Sequence, residues 1–183
     1  MNAHLSSLLP HDLPALARLP LFGLLAATLA CPLAARADNP WQSVASACAL
    51  TPPSVSLASV STKSGSVALK SGAIGTVTLI CPVNYEFSGI NALNELALQS
   101  FDNDPLGSVT ATLMRKDKTT GQVEVLGAVT SSDGASLATK QSDLDPAKIE
   151  FFNHAVYVIL TIKRGTATAR VEAHMSFLTR FIP

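Results

Sequence analysis

His154-Ala-Val-Tyr-Val-Ile-Leu-Thr-Ile-Lys-Arg164 and, after Gly165-Thr166, Ala167-Thr-Ala-Arg-Val-Glu-Ala-His-Met-Ser-Phe177 both place an apolar residue at every second position. Val156, Val158, Leu160 and Ile162 line one face of the first segment. Ala167, Ala169, Val171, Ala173, Met175 and Phe177 line one face of the second. A helix brings together residues three and four apart, so alternation at two selects β-strands with one buried face. Both apolar sets must reach the same core. A two-residue turn at Arg164-Gly165, or a four-residue loop of the same register, pairs Ile162 with Ala167 and Val158 with Val171. That register puts Tyr157 beside Glu172 on the outward face. It also sets His154 opposite Met175 and His174 opposite Ala155, so the two imidazoles leave by opposite faces and share no zinc ion.

The same period recurs upstream. Val55 and Leu57 open a strand whose partner carries Val67 and Leu69 across Lys63-Ser64-Gly65. Val77, Leu79 and Cys81 alternate with Thr76 and Thr78. Residues 82–93 carry mixed signals, because Ile90, Leu93 and Ala97 also fit one helical turn. Leu96 and Leu98 begin a strand that ends in Asp102-Asn103-Asp104-Pro105-Leu106-Gly107. Val109, Ala111 and Leu113 line the next, and Asp117-Lys118-Thr119-Thr120-Gly121 turns it into Val123 and Val125, with a bulge expected at Gly127. Residues 130–147 are polar and read as a long surface loop. About eight short strands joined by turn signals predict an all-β, antiparallel β-sandwich, jelly-roll or Ig-like.

Ahead of this domain lies an apolar, uncharged run, Leu19 to Pro32, preceded by Arg18 and followed by Ala35-Arg36-Ala37. The run is shorter than the ~20 residues of a spanning helix. Its length, the upstream cation and the small-x-small triplet predict a signal peptide over 1–37, cut after Ala37, and a single domain over 38–183 that is secreted or periplasmic. Cys31 reads as a residue of the removed apolar run and not as a lipid anchor, since Thr28 and Leu29 break the pattern that lipidation requires. No later run in the sequence is long enough for a transmembrane helix. Of the 13 Lys+Arg, Arg18 and Arg36 fall in the leader, and of the 13 Asp+Glu, Asp12 does, which leaves 11 and 12 and a net charge near −1. That balance supplies no electrostatic reason for nucleic acid or anionic lipid as a partner.

Removal of the leader leaves Cys48 and Cys81. An even count in an exported chain predicts one disulfide, and Cys81 falls on the apolar side of its strand. The competing reading is a pair of reduced thiols or a reactive nucleophile.

Candidate chemistry is sparse. Asp102 and Asp104, with Gly107, begin like a calcium loop, yet an EF-hand wants oxygen at position 5 and Glu at position 12, where Leu106 and Leu113 stand. A looser calcium site on Asp102 and Asp104, helped by Asp133, Asp143 or Asp145, is the one cofactor reading; otherwise none is expected. The sequence has no Gly-x-Ser-x-Gly elbow and no His-Glu-x-x-His helix. Trp41, Tyr85 and Tyr157 are the rings able to stack on a sugar, and with Glu172 they form the candidate contact surface.

Gly75-Thr-Val-Thr-Leu-Ile-Cys-Pro-Val83, the preceding Gly65-Ser-Val-Ala-Leu69, the Asp102-to-Leu113 turn and strand, Thr120-Gly121 and the segment from Tyr157 together resemble a group of exported bacterial β-sandwich proteins. No assigned activity comes with that resemblance. It implies export and a sandwich, and no site residue follows from it. The sequence therefore predicts an exported, non-enzymatic binding or structural module with a protein or glycan partner. The alternatives are a secreted carboxylate-dependent hydrolase and a calcium-dependent carbohydrate-binding module.

Overall fold

The computed structural model describes residues 36–84 and 93–182. The leader up to residue 35, with Cys31, and the ring of Tyr85 lie outside these residues. Alternating burial converts the predicted strands into two antiparallel sheets. In chain order they are β1 (Arg36–Val44), β2 (Ala49–Leu50), β3 (Ala58–Ser61), β4 (Ser66–Leu69), β5 (Gly75–Pro82), β6 (Glu95–Asp102), β7 (Ser108–Asp117), β8 (Val123–Thr130), β9 (Gly134–Asp143), β10 (His154–Arg164) and β11 (Val171–Ile182). One sheet has the order β3-β4-β11-β6-β9, with β1 also paired to β11; the other has the order β2-β5-β10-β7-β8.

Set β1, β2 and β3 aside, and the sheets read β4-β11-β6-β9 and β5-β10-β7-β8. Each successive strand crosses to the opposite sheet except at the β7–β8 hairpin. That is jelly-roll connectivity, so of the two expected sandwich types the structure selects this one. Seven of the eight expected strands are jelly-roll strands, and the eighth jelly-roll strand is β9; β3, the other expected strand, lies with β1 and β2 along the borders. Inward residues of both sheets form one core, with Val77, Leu79, Cys81, Val109, Ala111, Leu113, Val158, Leu160 and Ile162 fully buried from one side and Val67, Leu96, Leu98, Val171 and Leu178 from the other.

The C-terminal hairpin is where expectation and structure part. β10 pairs with β5 and β7, while β11 pairs with β4, β6 and β1, so the two segments face each other across the core. Period-2 burial is satisfied equally by strands side by side and by strands in opposed sheets, so alternation alone could not separate the two. Ala167 and Ala169 belong to the crossing connection and not to a strand. A second difference lies within β11. Ala173 pairs with Ser100 and Met175 with Gln99, which leaves His174 as the extra residue of a bulge. Beyond it the buried set shifts from Val171 and Ala173 to Ser176 and Leu178, and Met175 and Phe177 become half-buried. One inserted residue reverses the side of everything after it.

Two further expectations change. Residues 130–147 contain β9, an edge strand on β6 whose side chains are nearly all exposed, so it leaves no apolar alternation to read. Val55 and Leu57 lie in the turn that follows a 3₁₀ helix at Pro52–Ser54, and the strand begins at Ala58; its pairing with β4 matches the expected hairpin. The bulge near Gly127 is present, since Leu113 pairs with Gly127 and Met114 with Val125, which leaves Leu126 over.

Cys48 and Cys81 form the disulfide, with Cα atoms 4.5 Å apart, and tie the start of β2 to β5. Cys81 is fully buried, so a reduced pair would sit inside the core. The loop closed by this bond is worth about 3–4 kcal/mol in the chain-entropy account. The Cys48→Ser/Cys81→Ser protein is expected to lose a stability of that order in urea unfolding; an unchanged midpoint would show that the ring adds nothing.

Candidate functional site

The five-stranded sheet turns a face to solvent whose chemistry follows from register. Thr78, Thr161, Thr110 and Thr130 are successive Cα partners across β5, β10, β7 and β8, so four threonines stand in one row. The adjacent row is Ala49, Ile80, Ile159, Thr112 and Ala128. The row after that is Pro82, Tyr157, Met114 and Val125. Lys163 flanks the threonines, between Thr76 and Ser108, and Lys116 flanks the apolar end, between Ala155 and Val123. No acidic residue occupies an outward position of these rows. Ile80, on β5, is 41% exposed and Val125, on the edge strand β8, is 56% exposed, so the rows present apolar side chains to solvent toward both borders of the sheet. Among the described residues, Thr110 and Thr130 share the threonine row's one side-chain hydrogen bond, at 3.1 Å. The hydroxyls of Thr78 and Thr161 are left to solvent or a ligand.

One end of the sandwich is a structural clamp. Asp104, 1% exposed, accepts backbone N–H groups from Gly165 at 2.6 Å and Thr166 at 2.9 Å on one carboxylate oxygen, and from Leu106 at 3.1 Å on the other. Asp102 accepts from the Asp104 N–H at 3.2 Å and from the Ser131 hydroxyl at 2.5 Å. Burial pushes the Asp104 pKa up, but the N–H groups of Thr166, Leu106 and Gly165 together outweigh it and hold the carboxyl below its ordinary range. Gly107 and Gly165 close the turn by close approach. A Cβ on Gly107 would meet Asp104 at 2.8 Å, and one on Gly165 would meet Leu106 at 2.6 Å. Each of these carboxylate oxygens already accepts at least one hydrogen bond, and among the described residues no three His, Cys, Asp or Glu side chains are grouped to hold a metal. Beside the clamp, buried Arg164 donates to the carbonyls of Ala73 and Lys70.

At the opposite end Arg115, Asp117, Gln122, Val123, Glu124 and His154 line a cavity of about 420 Å³. Glu124 takes two bonds from Arg115, at 3.0 and 2.6 Å. His154 lies with Nε2 3.7 Å from Asp117 and Nδ1 3.2 Å from Glu150. Asp117 is engaged chiefly by Thr120, through its N–H and its hydroxyl, and also by the Thr119 N–H; these, together with the nearby His154, hold its carboxyl below the ordinary range. A carboxyl held below its ordinary range in this way is poorly suited to donate a proton, which argues against Asp117 as a general acid, while Glu124 is engaged by Arg115. Sequence reasoning passed over this cluster. Its signal was phase: Arg115 and Asp117 continue the inward set of Val109, Ala111 and Leu113, and His154 continues that of Val156.

The residues predicted to share a contact surface are separated. Tyr157 stands on the outer face just described, flanked by Pro82 and Met114. Glu172 stands on the outside of the other sheet, opposite Phe101. There Arg170 grips it through two 2.8 Å bonds, which hold its carboxyl below the ordinary range, and the same guanidinium lies 4.4 Å from the Phe101 ring centre. The Tyr157–Glu172 pairing is therefore corrected, because it rested on the hairpin that does not form. Trp41 is 8% exposed and fills the core beside Leu178, which leaves little of its ring for a partner.

No protein-family model and no curated protein matches the chain. Among solved structures it is similar to a family 11 carbohydrate-binding module from Clostridium thermocellum, solved in complex with a β-1,3-1,4-mixed-linked tetrasaccharide, at 8% identity and a TM-score of 0.41, over 83% of this chain and 88% of that one. It is also similar to a family 29 carbohydrate-binding module, at 12% identity and a TM-score of 0.36, over 78% of this chain and 89% of that one. A family two carbohydrate esterase from Cellvibrio japonicus matches at 15% identity and a TM-score of 0.36, over 81% of this chain but 35% of its own length. At these identities and scores the likeness carries no functional inference.

Asp104, Asp117 and Glu172 share a direction of shift, and that direction gives a pH dependence. Each is held below its ordinary pKa in the fold, so the unfolded chain takes up these protons first as pH falls. Their stabilisation is complete above the unfolded values and disappears as pH drops through the folded ones, below about pH 4. The thermal midpoint is expected to fall steeply in that range. Asp117→Asn should lower the midpoint at neutral pH and flatten the acid slope; an unaltered slope would remove Asp117 from the account.

Proposed function

We infer that this protein is an exported, non-enzymatic binding module that takes a glycan on the outer face of its five-stranded sheet. The observation that carries the reading is that face: a half-buried, outward-facing tyrosine among apolar side chains, one row removed from a line of threonine hydroxyls, with two lysines and no carboxylate. A sugar has the same division, with apolar C–H faces that stack on a ring and hydroxyl edges that want donors and acceptors. The absence of outward carboxylates and the presence of only two cations fit a ligand without a strong charge.

The export component rests on the Leu19–Pro32 run and on a disulfide that suits an oxidising compartment. No helix of the described residues is long and apolar enough to cross a membrane. A hydrolytic role has less support, because Asp117 and Glu124, the carboxylates lining the end cavity, are both committed to structural bonds.

Electrophoresis through gels containing soluble neutral polysaccharides tests the reading. The wild-type protein should be retarded by at least one of them, and Tyr157→Ala should weaken that interaction about tenfold, equivalent to ~1.4 kcal/mol of stacking. Chelation of calcium should leave the mobility unchanged. Free migration of the wild type in every polysaccharide would sink the proposal.

A further inference from the structure

Taking the glycan reading above as its basis, we propose that the ligand is a neutral linear polysaccharide lying across the strands, with successive sugars over β5, β10, β7 and β8. The argument begins with the direction of the rows. Outward residues that are Cα partners run perpendicular to the strands, and like chemistry is grouped along that direction: Thr78, Thr161, Thr110 and Thr130 in one line, with Ile80 and Ile159, then Tyr157 and Met114, in the lines beside it. Along the central strand β10 the chemistry changes instead, as Tyr157 gives way to Ile159, Thr161 and Lys163. A chain lying along a strand would meet an apolar, then a hydroxyl, then a charged position. A chain lying across the strands keeps the threonine row along one edge at every step, with Ile80, Ile159, Thr112 and Ala128 in turn along the other.

Spacing supports the crossing direction. Neighbouring strands lie about 4.8 Å apart, close to the length of one pyranose unit, so a crossing chain repeats in step with the sheet. From Thr78 to Thr130 there are three such intervals, about 14 Å. Each sugar would lay its C–H face on the apolar rows and turn hydroxyls toward the threonine row.

Size favours a slender occupant over a folded one. Four rows across five strands project to about 20 by 19 Å, or roughly 400 Å², from the strand and residue spacings. A stable protein interface buries about 800 Å² on each partner, so neither a second copy of this chain nor another folded domain is well served by this face alone. Charge sets the class. Lys163 and Lys116 stand at opposite borders of the rows, and the four rows between Thr76 and Val125 bear no ionic side chain outside Lys163. An anionic polymer, with a charge on each sugar, would find no matching cation along its path.

The test is a ladder of neutral linear oligosaccharides from disaccharide to octasaccharide, titrated calorimetrically into the mature protein, with a uronate polymer as the charged comparison. Affinity is expected to rise on the order of tenfold from disaccharide to tetrasaccharide and then level off. Thr161→Val, which keeps side-chain volume and removes one hydroxyl, should lower tetrasaccharide affinity several-fold while leaving the far-UV circular dichroism spectrum unchanged. Affinity that is equal for every length but still lost in Tyr157→Ala would overturn the crossing geometry and leave glycan binding standing. Tighter, salt-sensitive binding of the uronate polymer would overturn the neutral class alone. No heat from any member of either series would overturn both the geometry and the function it rests on.

Discussion

Where the chain leaves β10 to cross to the other sheet, a buried carboxylate holds the first residues of the connection. Asp104 accepts from the N–H groups of Gly165 and Thr166, and the chain then passes across the core instead of back alongside β10. The central strands of the two sheets, β10 and β11, are thereby set face to face. Everything inward of them follows from excluding water between two apolar surfaces. The carboxylate itself comes from the β6–β7 connection, which also crosses between sheets. One turn thus braces two of the crossings that define the jelly roll.

Much of this was open to reading from residue order, and the reason is physical. Val77, Leu79 and Cys81, and Val156 through Ile162, announce strands because one side of each must be dry. The turn at Lys63–Gly65 and the bulge at Gly127 announce themselves through backbone chemistry. What stayed hidden is what periodicity does not encode. Alternation says which side chains share a face, but not whether the next strand lies beside or opposite. The bulge at His174 carries no glycine to mark it, so Met175 and Phe177 appear to belong to the core phase. β9 is wet on almost every side and has nothing to alternate.

The outer face of the five-stranded sheet was legible only in part. Tyr157 reads correctly as outward-facing, since it lies between Val156 and Val158, and Thr76, Thr78, Thr110 and Thr112 are outward by the same logic. That these residues form rows depends on β5, β10 and β7 being neighbours, which is a matter of topology. Glu172 and Trp41 fail for different reasons: the first sits on the other sheet, and the second is large enough to be drawn inward where β1 meets β11. The polar cluster around His154 shows the converse. Arg115, Asp117 and His154 keep the phase of the core but are polar, and they line a cavity at the end of the sandwich.

The ring closed by Cys48 and Cys81 spans more of the architecture than its position suggests. Between the two cysteines the chain passes through β2, then β3 and β4 in the opposite sheet, and returns in β5. A covalent hoop therefore encircles part of both layers. When heat or force parts the layers at that border, the segment between the cysteines stays a closed ring and can extend only about half as far as an open chain of the same length. The border belongs to the same strand, β5, that contributes Thr78 and Ile80 to the outer rows, so the surface facing solvent is anchored mechanically from beneath.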